Sequence, residues 1–315
     1  MAVKEVQQKG EPKQRARRGF SRQRRNEALW GLLCVAPAII GFVLWQLGPI
    51  VASLLLAFTD WSIASTPNWI GFENFQRMFT GDPLFWKSLG VTTYYALGSV
   101  PLGMIFAFFL AILLNQKIRG LQLFRTIFYL PSIVPLIASS VLWLWLFNPD
   151  FGLFNAAADF LRLPRSQWIF GEASVIPSLI LMSLWSVGPM MIIFLAGLQG
   201  VPRQLYEAVD VDGGNRLHKL WHITVPMMTP TILFNLILAI IGAMQTFIQA
   251  YIMTQGGPNN ASLFYVLYLY RKAFQESDMG YASALAWVLF VLIAVLSFFV
   301  LKTSDRWVYY EGGKG

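Results

Sequence analysis

Candidate chemistry in this 315-residue chain is concentrated in one polar stretch, LYEAVDVDGGNRLHKLWHITVP at 205–226. It holds three carboxylates, Glu207, Asp210 and Asp212, a Gly213-Gly214 pair, and the only two histidines, His218 and His222. Histidines four apart on a helix can share one metal ion, but no cysteine and no obvious third ligand accompanies them, so they read as surface or headgroup-level side chains. The serines are scattered without a histidine or acid in the same compartment, which leaves nucleophilic catalysis without support. No stretch fits G-x-x-x-x-G-K-[ST]. The 312–315 run Gly-Gly-Lys-Gly lacks the first-glycine spacing and the hydroxyl residue, so no P-loop for ATP is expected. What the carboxylates can do is dock electrostatically.

A second polar group lies inside apolar sequence, where unsatisfied amides are costly. On a helix advancing about 100° per residue, Asn235, Thr246 and Gln249 fall within about 60° of one another, with Gln245 at the margin and Gly242 on the same stripe. Amides and hydroxyls in that setting suit a neutral polyol better than an ion. They equally suit hydrogen bonds to a neighbouring helix, with the glycine permitting close approach. Trp185, Ser186, Gly188 and Pro189 form a weaker candidate site that could also be a simple kink.

The elements that must position these groups are set by hydropathy. Hydrophobic residues make up 56% of the chain and charged ones 13%, against roughly 45–50% and about 25% in ordinary globular proteins. All 40 charged residues fall outside six apolar runs, near 29–59, 88–115, 126–147, 173–201, 226–254 and 279–301. At about 1.5 Å per residue each run can cross a hydrocarbon core of about 30 Å. Six transmembrane helices follow, because nothing here alternates as a barrel strand would. The fold class is therefore an all-α polytopic membrane protein. An internal ionisable relay of the kind that proton- or ion-driven transporters keep is missing from the runs.

Orientation follows from the positive charges. The segments on the side of the N-terminus hold 18 Lys and Arg, nine of them in the tail, while the three alternate loops hold two each. Both termini and the 205–226 stretch are thus expected in the cytoplasm, and the net charge of +8 largely reflects this asymmetry. The basic tail, 1–28, has no apolar periodicity and is expected to be disordered. Its KQRARRGFSRQRR run reads as a solvated segment touching anionic headgroups rather than nucleic acid. The first apolar run is too long for a secretory signal and is expected to be retained. The single cysteine, Cys34, lies within it and is expected to pack there.

Local rules also shape the polar stretch. Pro202 suits a first helical turn, and Leu205, Ala208 and Val209 make one apolar face, with Glu207 and Asp210 together on another. Gly213 and Gly214 can take positive φ and end this helix. Asn215 can cap a second, carrying Leu217, Leu220 and Trp221, before Pro226 opens the next run. This makes a compact lever joined to the fourth and fifth spans.

The stretch resembles the EAA loop of ABC importer permeases, a Glu-Ala-Ala start followed by Asp-Gly-Ala and, thirteen residues after that glycine, a proline. Here stand Glu207, Ala208 and Val209, then Asp212, Gly213 and Gly214, then Leu220, Ile223, Val225 and Pro226. Val209 and Gly214 replace small alanines and Leu220 the usual aromatic. The likeness extends over nearly the whole chain after the tail. WIGFENFQRMF from Trp69 and DPLFWKSLGVTTYY from Asp82 are similar to the first outer loop and second span of sugar-type permeases. MTQGGPNNAS from Met253 and GYASALAWVLF from Gly280 resemble the first of their two permease subunits.

The resemblance implies a permease domain over 29–302 with its EAA loop at 202–226 between the fourth and fifth spans, and a C-terminal tail over 303–315. It implies half of a heterodimeric pore for a sugar, polyol or related cargo, working with a sister permease, two ATPase subunits and an extracytoplasmic solute-binding protein. ATP and Mg would be bound by the ATPase, with no cofactor in this chain. By the same resemblance Glu207, Ala208, Asp210, Asp212, Gly213 and Pro226 serve ATPase coupling, with Glu207 meeting a basic residue and Gly213 supplying the turn. Asn235, Gln245, Thr246 and Gln249 are the pathway candidates from the residues themselves. A stand-alone facilitator, or a cargo-free scaffold or receptor, remains open on residues alone.

Overall fold

The computed structural model describes residues 22–116 and 119–309. Among them the ordered elements are helices, and two isolated bridges, Thr59 to Trp69 and Ser62 to Asp278, stand in place of any strand. In chain order the helices are α1 (Arg22–Phe42, Val43–Leu47 and Gly48–Leu56 in continuation), α2 (Pro83–Leu114), α3 (Leu121–Tyr129), α4 (Leu136–Leu146), α5 (Leu153–Phe160), α6 (Val175–Trp185), α7 (Gly188–Gly200), α8 (Arg203–Val211), α9 (Arg216–Met244), α10 (Tyr265–Tyr270) and α11 (Met279–Ser304). Four, α1, α2, α9 and α11, are long and apolar enough to cross a membrane. Two bent pairs bring the count to six if each pair is one span, Leu121–Ile133 with α4 at 97° and α6 with α7 at 49°.

The chain divides into two units at Ser53. The first is the N-terminal part of α1, whose described side chains are almost all exposed, Cys34 included. The expected packing role for that thiol is therefore not seen within its unit. The tail expectation for 1–21 lies outside the described residues, but from Arg22 the chain is already helical, seven residues before the expected start. At the other terminus α11 continues to Ser304, and the Tyr309 amide donates to Thr229 Oγ1 at 2.9 Å.

In the second unit α2 is the central post, packed against α6, α7 and α9. Inter-loop contacts sort the connections into two groups. Arg77 pairs with Asp278 at 2.8 Å, Lys87 Nζ donates to the Asn259 carbonyl at 2.6 Å, and Asn259 donates to Glu172. The 60–87, 148–172 and 255–278 loops thus share one end of the bundle, as the alternation of apolar runs requires. At the opposite end Leu110, Leu114, Phe194, Leu198 and Met228 form a separate core on which Leu121, Tyr206 and Ile223 pack.

Asp82 organises the first end. As N-cap of α2 its Oδ1 accepts from the amides of Leu84 at 3.0 Å and Phe85 at 3.2 Å, while Oδ2 accepts from Tyr268 and Tyr281 hydroxyls. Burial pushes its pKa upward, but the tyrosine and amide donors outweigh this and hold the carboxyl below its ordinary value. Burial, and then the bond to Asp82, push the Tyr268 hydroxyl up.

Asp82→Ala removes a cap and the acceptor of two hydroxyls and is expected to cost about 2 kcal/mol, read as a lower Tm in detergent. Because the folded carboxyl titrates below its unfolded value, its contribution is full above the ordinary carboxylate range and lost as pH falls through the depressed value. The Tm of the unaltered protein should therefore drop more in acid than that of Asp82→Asn, and be insensitive to this group near neutral pH.

Candidate functional site

Three helix breaks meet at one place in the second unit. Val134 is extended ahead of Pro135, the conformation a following proline imposes. Pro189, in the first turn of α7, cannot donate and its ring collides with the carbonyl four residues earlier, so α6 stops at Trp185. The third break follows Met244, where the Gln245 amide is shared between the Ile241 and Gly242 carbonyls and helix resumes near Gln249.

A cavity of 490 Å³ opens beside the second and third breaks. Its polar lining comes from Tyr95 and Ser99 of α2, Ser183 of α6, Ser186, Asn235 of α9, Thr246 and Gln249. A second chamber of 320 Å³, lined by Val134, Leu136 and Ser139 at the first break, shares Ser183, Ser186, Pro189 and Gln249 with it. Tyr95, Ser99, Asn235 and Thr246 are each at least nine-tenths buried. Asn235 Nδ2 donates to the Thr231 carbonyl at 3.2 Å, and the Tyr95 hydroxyl lies among the side chains of Ser183, Thr246 and Ser99 as hydrogen-bonding neighbours. Buried polar atoms are ordinarily paired. Here they pair with one another across α2, α6 and the segment after α9, which makes one polar cluster on the cavity wall. No Asp, Glu, Lys, Arg or His is among the lining residues, so the cavity offers hydrogen bonds and apolar walls rather than acid-base or metal chemistry.

The expected pathway residues are only partly united here. Asn235, Thr246 and Gln249 reach the cavity, but not as one helical stripe, because α9 ends before Thr246. Gln245, projected at the stripe's margin, is exposed and outside the lining, since the break turns it away. Sequence reasoning passed over Tyr95, Ser99 and Ser183. For Tyr95 and Ser99 the signal was a polar pair spaced four apart on α2, obscured by the low polarity contrast of Ser and Tyr in an apolar run; Ser183 stands on α6.

The 202–226 stretch forms two helices at the opposite end from Asp82. α8 closes with the Gly214 amide bonded to the Val209 carbonyl at 2.8 Å and the Gly213 amide to Asp210 at 3.1 Å, the double bond of a Schellman ending. Gly213 takes φ +77°. Gly214 does not take positive φ, contrary to expectation; it is needed for room, since a Cβ there would lie 2.4 Å from Val209 Cγ1. Asn215 then caps α9 by accepting from the His218 amide at 3.0 Å.

Two side-chain contacts fix this turn as a body. Asp210 pairs with Lys219 at 2.5 Å, and the Tyr206 hydroxyl lies 3.1 Å from Thr224 Oγ1. The inward face of α8 is accordingly Leu205, Tyr206 and Val209, while Ala208, expected on that face, is exposed with Glu207, Asp210 and Asp212. Glu207 makes no ion pair with a described residue. Leu217 and Trp221 are also exposed. Pro226 does not open a new helix: Arg216 to Met244 is one helix, carrying a π turn at Leu220–Thr224. His218 and His222 stack with ring centroids 5.6 Å apart, and among the described residues no group of three metal-ligating side chains occurs.

A multi-span helical bundle with an uncharged cavity at its helix breaks and a rigid polar turn at one end is the architecture of a membrane permease. Residues 99–308 match the profile of the binding-protein-dependent transport system inner membrane component, and the chain belongs to that family. It is 43% identical over 295 residues to the Probable ABC transporter permease protein YesP of Bacillus subtilis (strain 168), covering 92% of this chain and 95% of that one. It is 31% identical over 285 residues to the Sulfoquinovosyl glycerol transport system permease protein SmoG of Agrobacterium fabrum, covering 89% and 92%. Its fold is similar to a chain in the crystal structure of a bacterial alginate ABC transporter in complex with an alginate pentasaccharide-bound periplasmic protein. There the TM-score is 0.78 at 22% identity, over 90% of this chain and 95% of that one. The protein is thus an ABC transporter permease, a multi-pass membrane component.

The left-handed turn makes a simple test. Gly213→Ala is expected to destabilise by about 1–2 kcal/mol, and Gly213→Asn by clearly less, because Asn tolerates this conformation. Thermal unfolding and protease nicking at the turn check both.

Proposed function

We propose that this chain forms half of the translocation pathway of an ATP-driven importer for a sugar or related polyol, coupled to an ATPase through the 202–226 turn. Its partners on this reading are a sister permease, two ATPase subunits that hold ATP and Mg, and an extracytoplasmic solute-binding protein. The positive-charge bias favours both termini and the turn in the cytoplasm, with the Asp82 end outside. The name of the SmoG relative and the saccharide-bound periplasmic protein in the alginate transporter support a saccharide cargo and a binding protein.

The observation that carries the reading is the continuity of α9. One 29-residue helix joins the exposed turn to the cavity. Its first residues belong to the turn fixed by Asp210–Lys219 and Tyr206–Thr224, and its last precede Thr246 and Gln249. At about 1.5 Å per residue it spans roughly 43 Å. A displacement applied to the turn by a closing ATPase dimer would be delivered, with little loss, to the break beside the cavity. Glu207, Ala208 and Asp212 are the exposed docking groups, Gly213 the turn, Asp210 an internal brace that keeps α8 on α9, and Pro226 part of the shaft. Asn235, Thr246 and Gln249, with Tyr95, Ser99 and Ser183, would meet the cargo; Gln245 would not.

Glu207→Lys and Gly213→Pro are expected to abolish ATP-driven uptake and binding-protein-stimulated ATP hydrolysis by the reconstituted transporter while membrane insertion and sister-permease assembly persist. Normal uptake in both variants would exclude this coupling. Affinity purification through a tag after Gly315 should recover an ATPase and a second permease. Recovery of the chain alone, active in ATP-free vesicles, would instead establish a facilitator.

A further inference from the structure

The connection between α4 and α6 carries an apolar surface that transport does not explain. In α5 the residues Leu153, Ala156, Ala157 and Phe160 recur at i, i+3, i+4 and i+7, a stripe about 100° wide, and all four are exposed. Phe160 is 88% exposed, and Phe151 and Leu161, just outside the helix, are each 63% exposed. The opposite face is not free to trade places with it. Phe154 stacks on Phe147 and Trp143, at 5.2 and 5.7 Å between centroids. Asn155, 2% exposed, donates to the Pro149 and Ser166 carbonyls and accepts from the Ser166 amide and the Trp168 indole. The helix is pinned from behind with its apolar stripe outward.

We propose that α5 is an interfacial anchor that seats this stripe in the headgroup and acyl boundary of the bilayer. The covering phase is named by position. The segment is tethered within a few residues to α4 on one side and by Trp168–Phe170 to α6 on the other, so it stays at the membrane surface. The exposed apolar strip of α4, Ile137, Val141 and Trp145, leads into the same connection. Arg162 and Arg165 follow the stripe in an exposed position, as basic residues do where a helix lies at headgroup level. Arg165 holds Asp159, on the polar border of α5, at 2.6 Å. Preordering by Asn155 means that little conformational freedom is lost on insertion.

The lone cysteine makes the test direct. In a Cys34→Ser background of the full transporter in phosphatidylethanolamine and phosphatidylglycerol nanodiscs, spin labels at Leu153→Cys, Ala157→Cys and Phe160→Cys should collide more with oxygen than with a water-soluble nickel complex. The ratio should invert at Arg162→Cys. Dominant nickel access at all positions would show the stripe in water, and shielding from both reagents would show a protein covering it; either overturns the anchor. The measurement needs neither ATP nor cargo, so its outcome is independent of the coupling mechanism.

Discussion

Everything in this fold follows from the rule that a backbone in hydrocarbon must satisfy its own hydrogen bonds. A broken helix inside the bundle exposes amides and carbonyls that an intact one would hide, and is tolerated where protein or a polar cavity meets them. Here the pairs α3 with α4 and α6 with α7 break, and α9 stops, all beside the same two connected chambers. The clustering ties the breaks to one site rather than to independent kinks. Half-helix ends pointing at a midplane site are how membrane transporters present main-chain donors and acceptors to a solute.

The proposed coupling would further require rigidity at the 202–226 turn. A turn built only from flexible loop would absorb any push applied to it. This one is closed by a Schellman ending on α8 and an Asn cap on α9, while an ion pair and a tyrosine-to-threonine contact join α8 to the first turns of α9. The pairing of Asp210 changes how its charge is understood. Exposed ion pairs contribute little to stability on their own, but one that bridges two short helices sets their angle. Of the acidic set, that leaves Glu207 and Asp212 exposed and outside any ion pair with a described residue.

What the sequence could convey depended on how local the governing physics was. Hydrophobic runs, charge asymmetry and the Gly-Gly turn are near-neighbour properties, and from them the helical class, the alternation of loops and the ends of α8 were legible. The stripe over Asn235, Gln245, Thr246 and Gln249 required the helix to continue past Met244. Nothing between Gly242 and Gln249 is a proline or a glycine, so no residue announced the break, and Gln245 was misplaced. Gly214 was misread for a related reason: positive φ is a property of a residue, whereas its closeness to Val209 is a property of the folded turn. Tyr95 and Ser99 became recognisable only when α2 was seen to face the chambers.

The Asp82 end completes the mechanical picture. A single carboxylate caps α2 and receives hydroxyls from α10 and α11, with Arg77 bound to Asp278 across the same loops and its guanidinium 4.5 Å from the Tyr281 ring centroid. Charge-assisted bonds of this kind are the stronger class, and their concentration makes the ends of α2, α10 and α11 one block. The turn at the other end is a second block. Between these two blocks, helical hydrogen bonding is interrupted at the three breaks lining the chambers, and also at Pro101 within α2 and Pro230 within α9. On the proposed coupling, motion imposed at the turn would reach these interruptions and change the shape of the polar cavity without first having to unfold a helix.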